Sequence, residues 1–443
     1  MRRRPHEGFD WRALLGPRLV TAEEAVSHVD SGDRVSVSLA LQTPHALCGA
    51  LAARLSDLER VVISHSAALF DWDIPGVAER FRLQSTFLSP VDRHLHDTRR
   101  EEFMPVGLYR AGVLPPGLDN FNVFMVRVSP PNRDGYVSFG ESLIMSKLMA
   151  RRAELVIGEI DERAIWTGGD NAIHLSEINF FVEPIEIVPR AQLPPPSEEE
   201  QRTVGAICEL VARELVPDRA TIQVGVGSTS GMLMYALGRH HDLGMATEVI
   251  PRGTVPLVRE GIVTGKFKKL MPGVVTASAF SPVTPEEEVD LADGDARFHL
   301  YDFNFTDDVR VIAREEGLIA VNNAIAVDFG GQAASESIGT RMFSGTGGQT
   351  VFAIGACLAG GLSIIVLPSS SMVKGRRVSR IVPVLEPGSV VTSTRSSVHY
   401  IVTEHGIADL RGKSVPERAR ELIAIAHPDF RAELNEEAHR LYG

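Results

Sequence analysis

Short apolar runs alternate with amphipathic stretches along the whole chain, the pattern of an α/β protein. In the first half, residues 34–41 read as a strand. Thr43-Pro44 stops it, and 46–55 carry apolar positions at helical spacing. In the second half, 220–226 predict a strand, 227–231 a loop and 232–237 the start of a helix. The two strand–turn–helix units look like a pseudo-repeat with weak residue identity. Further strands are expected at 274–279, 296–301, 319–327, 362–367, 380–385, 389–392 and 400–403. Residues 416–441 read as helical, with a break at His427-Pro428.

The proline-rich stretch 188–201 marks a linker, and its Ser197-Glu-Glu-Glu200 is a helix start with acids in the first turn. The spacing predicts a helix through 203–215. The chain therefore divides into an N-terminal α/β domain, 1–190, and a C-terminal α/β domain, 197–443. Two open sheets of related topology would place a ligand site between them, at the carboxyl ends of strands.

Composition narrows the partners. At 44% hydrophobic and 23% charged the chain is an ordinary globular protein. A net charge of −12 argues against nucleic acid or an anionic membrane surface as the main partner. No apolar run is long enough to span a bilayer, and charges interrupt the N-terminus before any signal core, so the expected location is the cytoplasm. Cys48, Cys208 and Cys357 are far apart and lack CxxC spacing; they read as small core residues in a reducing compartment.

The candidate chemistry lies in two glycine loops and one acid. Nine glycines fall between Gly330 and Gly361, centred on Phe343-Ser-Gly-Thr-Gly-Gly-Gln349. Without Cβ atoms, successive N–H groups can point at one anion or one polarised carbonyl. Gln223-Val-Gly-Val-Gly227 follows a strand and opens a helix, a second place where amides face an anion. It is neither a dinucleotide fingerprint nor a P-loop. Glu248 sits between Met245 and Val249-Ile250, and an acid in apolar surroundings is either partnered in the core or held in a cleft. A carboxylate set against an electrophile and oxyanion donors can act as a covalent nucleophile.

These stretches resemble the acetyl-CoA hydrolase/CoA-transferase family, including 4-hydroxybutyrate and butyrate CoA-transferases. The resemblance runs through Thr247-Glu248, Tyr301-Asp-Phe303, Val321-Asn-Asn-Ala-Ile-Ala-Val-Asp328, Ser344-Gly-Thr-Gly-Gly-Gln349 and Val402-Thr-Glu-His-Gly-Ile-Ala-Asp-Leu-Arg-Gly412, and in the first half through 128–140 and 172–183. It implies two α/β domains of CoA-transferase topology. It also implies a ping-pong exchange of CoA between a short-chain acyl-CoA and a small carboxylate, through a glutamyl-CoA thioester on Glu248. By family position, Gln223, Val224, Gly225, Val226, Gly227, Asn322, Gly345, Gly347 and Gly348 would contact CoA or donate to oxyanions. Lys374 and Arg252 are possible contacts to CoA phosphate or to the acceptor. Coenzyme A is implied as a substrate, with no permanently bound cofactor or metal; a homodimer is a family expectation. An acyl-CoA hydrolase using the same site, and a CoA-binding protein without turnover, are the alternatives.

The chain departs from the family pattern at several places. An acid and an arginine after the glycine loop are replaced by Val351 and Ile354, neighbours at i and i+3, which reads as an ion pair exchanged for an apolar contact. Pro251-Arg252-Gly253 stands where Ser-Asp-Gly is common. Ser38-Leu-Ala-Leu-Gln-Thr-Pro44 lacks the usual glycine after the first strand. His65, His405 and His427 read as structural, and His94-Leu-His96-Asp97 as a solvated segment.

Overall fold

The computed structural model describes residues 4–107, 114, 119–183, 197–227 and 229–443. Residues 188–196 of the expected linker and Ser228 of the 227–231 loop lie outside the described residues. The chain forms two compact units. The first is Met1–Ala191 with Ala277–Phe305, and the second is Gln192–Thr276 with Thr306–Gly443. The sequence reading assigned 277–305 to the second domain. The structure instead returns this stretch to the first unit, where Leu143 and Ile144 donate to the Ser278 carbonyl and Phe303 donates to the Ile144 carbonyl.

The first unit is built on eight parallel strands: β1 (Leu19–Val20), β2 (Arg34–Val37), β3 (Val62–His65), β4 (Arg82–Ser85), β5 (Glu101–Phe103), β6 (Val123–Val128), β7 (Leu155–Ile160) and β8 (Phe180–Val182). Their order is β1-β8-β7-β6-β2-β3-β4-β5. Val35, Val37, Ile63, Leu83, Val123, Met125 and Ile157 pack with Leu47, Cys48 and Leu51 of helix α1 (His45–Ala53) in one buried cluster. Each fully buried aliphatic side chain contributes roughly 1.5–3 kcal/mol. The missing glycine after β2 has a structural counterpart. Ala40 takes φ 48°, a left-handed conformation that an alanine adopts only at a cost. Its amide donates to the Ser66 carbonyl after β3.

The second unit begins with helix α2 (Glu198–Leu215), which Ser197 and Glu200 open as a capping box. The Glu200 amide donates to Ser197 Oγ at 3.2 Å, and the Ser197 amide to Glu200 Oε2 at 3.0 Å. Val204, Ile207, Cys208 and Val211 form its buried face. The central sheet holds β9 (Thr221–Val224), β10 (Gly244–Met245), β11 (Ile319–Asn323), β12 (Leu362–Val366), β13 (Tyr400–Thr403) and β14 (Gly406–Asp409), in the order β10-β9-β11-β12-β13-β14. All pairs are parallel except the β13–β14 hairpin. Helix α3 (Ser230–Ala236) follows β9, and helix α4 (Gln349–Leu358) lies between β11 and β12 in the chain. The C-terminal helical stretch divides into α5 (Val415–Ala424) and α6 (Arg431–Tyr442) around His427-Pro428, as its pattern predicts.

Four strand expectations need correction. The run 274–279 divides into Val275–Ala277 and a second strand, Ala279–Phe280, in a different sheet. Residues 389–392 form no strand: the Ser389 amide closes a turn onto the Glu386 carbonyl, and the Val390 amide goes to Ser337 Oγ. Of 380–385, only Ile381–Val382 pairs, and Pro383 follows without an amide to extend the ladder. The long run 319–327 is two strands. The chain leaves the large sheet after Asn323 and re-enters a small one at Ala326–Asp328.

Candidate active site

The carboxyl ends of β9, β10 and β11 bring most of the expected residues together. Gln223 and Asn322 are both buried and exchange two hydrogen bonds, at 3.1 and 3.0 Å. The pair bridges adjacent strands and satisfies both carboxamide oxygens. Asn322, expected to contact CoA, is therefore engaged with Gln223. Val224 is a buried strand residue, whereas Val226 is 60% exposed. Gly225 lies so close to Asn322 that a Cβ there would run into its Oδ1, and a Cβ on Gly227 would meet the Asn323 amide. Asn323, which sequence reasoning did not single out, accepts from Thr229 Oγ1 and reaches toward the Val226 carbonyl at 3.4 Å.

Glu248 follows β10 by three residues, and its side chain is half-buried. The carboxyl end is the enclosed part: a Cβ on Gly348 would collide with Glu248 Oε2. The Gly348 amide donates to this carboxylate. Burial pushes the Glu248 carboxyl up to about 7, with the Gly348 amide pulling the other way. Gly348 is the residue before α4, so the carboxyl also faces the positive end of a ten-residue helix. The turn before it needs φ 55° at Gly347, which glycine adopts without strain. Gly345 is buried, and its neighbour Thr346 donates to Glu336 Oε2 at 3.2 Å, fixing the loop.

A second acid faces the same glycine. Asp307 Oδ1 would lie 2.6 Å from a Cβ on Gly348, Asp307 is fully buried, and its Oδ2 accepts from Thr306 Oγ1 at 2.7 Å. The sequence signal for it was slight: an acid just after the apolar, aromatic run that ends at Phe305.

The two basic candidates are not part of this cluster. Arg252 is exposed and makes no hydrogen bond or ion pair among the described residues. Lys374 is at the exposed tip of a hairpin, Ser370–Val373 with Arg376–Ser379, where Lys374 and Gly375 form a two-residue turn with φ 48° and 79°. Arg377 of that hairpin meets Glu199 at 3.3 Å. Val351 is buried beside Ile312, Leu318 and Phe352, but Ile354 is 39% exposed, so the expected apolar contact is supplied by the core and not by the two residues together.

Other chemistry-bearing groups are structurally engaged. Burial raises all three thiols, Cys208 to about 12, which leaves them poor nucleophiles at neutral pH. His94 pairs with Asp73 at 2.9 Å. In the first unit His65 lies between Glu101 (2.9 Å) and Asp92 (3.6 Å), all three buried. It is the one metal-competent grouping among the described residues. His405 and His427 stack edge to face at 5.7 Å.

The comparisons with known proteins identify the family. The acetyl-CoA hydrolase/transferase N-terminal domain matches residues 12–191, and the C-terminal domain of the same family matches 286–438. The 4-hydroxybutyrate coenzyme A transferase of Clostridium kluyveri is 33% identical over 439 residues, covering 97% of this chain and 99% of that protein. The butyryl-CoA:acetate CoA-transferase of Anaerostipes caccae is 32% identical over 96% of each chain. An acetyl-CoA hydrolase of Schizosaccharomyces pombe is 30% identical over 55% of this chain and 46% of its own. Among solved structures, RipA from Yersinia pestis superposes with a TM-score of 0.85 at 31% identity, covering 98% of this chain and all of RipA. A 4-hydroxybutyrate CoA-transferase from Porphyromonas gingivalis gives 0.77 at 30% identity, with the same coverage. The chain belongs to the acetyl-CoA hydrolase/CoA-transferase family and has its two-domain α/β fold.

Two outcomes follow from the Glu248–Gly348 contact. Gly348→Ala displaces the carboxyl, and thioester cleavage falls by about 100-fold while the circular dichroism spectrum is retained; a variant with full activity contradicts the contact. The raised Glu248 acidity range also has a sign in stability. The folded state binds the proton more tightly than the unfolded chain, so this stabilisation is complete below the ordinary value of 4.5 and is lost as pH rises through about 7. Glu248→Gln is free of that loss. Its melting temperature relative to wild type therefore rises from about pH 5 to about pH 8, and an equal difference at both contradicts the buried carboxyl.

Proposed function

We propose that this protein is a CoA-transferase that moves CoA from a short-chain acyl-CoA to a small carboxylate through a thioester on Glu248. The observation that carries the reading is the Glu248 carboxyl held against the Gly348 amide at the start of α4. Ionised Glu248 attacks the acyl carbonyl, the C–S bond breaks, and a mixed anhydride and CoA thiolate result. The thiolate attacks the glutamyl carbonyl and expels the acyl group as its carboxylate, leaving glutamyl-CoA. An acceptor carboxylate attacks the glutamyl-CoA carbonyl and releases the thiolate again. The thiolate then takes the acceptor acyl group from the second anhydride and regenerates Glu248. One carboxylic thioester is exchanged for another, so no separate energy source enters.

The Gly348 amide, already on the Glu248 oxygen, is placed to follow that oxygen as it becomes an oxyanion at the glutamyl carbon. Removing one such donor in other enzymes costs roughly 3–4 kcal/mol. We assign the oxyanion at the acyl carbon to the 223–227 loop. Val226, exposed between two glycines, gives CoA an apolar edge there. Coenzyme A is the substrate, and the chemistry calls for no resident cofactor. Among the described residues no helix is long and apolar enough to cross a membrane. With three unpaired cysteines, this supports a cytoplasmic enzyme. A homodimer remains our expectation from the family.

The partial likeness to an acetyl-CoA hydrolase gives a second reading, in which water resolves the enzyme-bound acyl group. Turnover of acetyl-CoA and butyryl-CoA with and without acetate, propionate, butyrate, succinate and 4-hydroxybutyrate separates the two. We expect acceptor-dependent formation of a new acyl-CoA, at least about 10-fold faster than release of free thiol. Thiol release at the same rate with no acceptor, and no new acyl-CoA, contradicts transfer and makes the enzyme a hydrolase.

A further inference from the structure

Glu248 is not alone at the start of α4. Asp307 arrives from a separate segment, buried completely, and turns Oδ1 toward the same glycine that Glu248 Oε2 abuts. Two carboxyl groups facing one atom-sized space cannot both carry full negative charge without strong mutual repulsion. The positive end of a single helix favours one such charge.

The other groups around Glu248 leave Asp307 as the acid that shares its space. Thr247 turns its hydroxyl to the Val224 and Val249 carbonyls. From α4, Gln349 is drawn to Ser393 Oγ. The 223–227 loop contributes no charged side chain. Glu336 is bound by Thr346, Asp308 is paired to Arg310 at 2.7 Å, and Arg252 is exposed.

We propose that Asp307 is a positioning residue for Glu248: the two carboxyls that face Gly348 share one negative charge, and Asp307 thereby sets the pH at which Glu248 is released for attack. This rests on the reading of Glu248 as the nucleophile and adds what controls it. Burial alone already disfavours the Glu248 carboxylate, and negative charge shared with Asp307 would act in the same direction. On activation the Glu248 proton goes to solvent. The freed oxygen then bonds to the acyl carbon as the C–S bond breaks. A more basic carboxylate is also a better nucleophile, so the arrangement exchanges availability at low pH for reactivity at neutral pH.

The test is the rate at which a CoA adduct forms on the intact enzyme mixed with acetyl-CoA, followed by quenching and mass spectrometry across about pH 5 to 9. For wild type we expect the rate to rise with pH around a midpoint of about 7. Asp307→Asn is expected to lower that midpoint by at least about one pH unit, and to lower the plateau at high pH. A merely structural Asp307 would reduce the rate at every pH and leave the midpoint in place, which overturns the proposal. Should Asp307→Asn not fold, Thr306→Val removes the hydroxyl donor to Asp307 and carries the same readout: a displaced midpoint supports the coupling, and an unmoved one overturns it. A wild-type midpoint in the ordinary carboxylate range also overturns it. Absence of any adduct on wild type at all pH values overturns instead the reading of Glu248 itself, and the inference falls with it.

Discussion

The confinement of one carboxyl group against one glycine organises the candidate site of the second unit. Glu248 and Asp307 both approach Gly348, and a Cβ at that position would occupy the space of both. The same residue precedes α4, so its amide is free to donate outward and does so to Glu248. A helix start, an absent side chain and a buried acid thus make one device. It holds the Glu248 carboxyl at a helix start, the position from which we propose that it attacks the thioester.

The parallel sheet of the second unit supplies the geometry. Strands β10, β9 and β11 are adjacent and run the same way, so the segments that follow them emerge on one edge. One carries Glu248, the next the 223–227 loop, and the third Asn322 and Asn323. The Gln223–Asn322 amide pair ties two of these strand ends together across the sheet. Beneath them, Ile312, Leu318, Ala320, Val351 and Phe352 fix α4 to the sheet. Family membership is shown by both halves of the chain.

Much of this was legible in the residues. The 3.6-residue apolar spacing of 203–215 and its Ser-Glu-Glu-Glu start gave α2, and the Pro-Pro-Pro run marked the change of unit. Glu248 stood out because an acid among Met245, Val249 and Ile250 needs a reason to be there. What the pattern did not carry was long-range pairing. Residues 389–392 look like a strand, but the Val390 amide finds a serine hydroxyl, and no local signal announces that partner. The return of 277–305 to the first unit depends on contacts with Leu143 and Ile144, far off in sequence. Asp307 carries no local signal for the same reason. Its meaning comes from facing Gly348, some forty residues on, and not from its neighbours in the chain.

Covalent capture at Glu248 is the central claim, and borohydride trapping tests it most directly. Enzyme incubated with a short-chain acyl-CoA is reduced and digested, and the peptide bearing residue 248 is sequenced by mass spectrometry. The account predicts reduction of that side chain to an alcohol, only when acyl-CoA is present. An unmodified Glu248 beside a reduced or acylated residue elsewhere would contradict it.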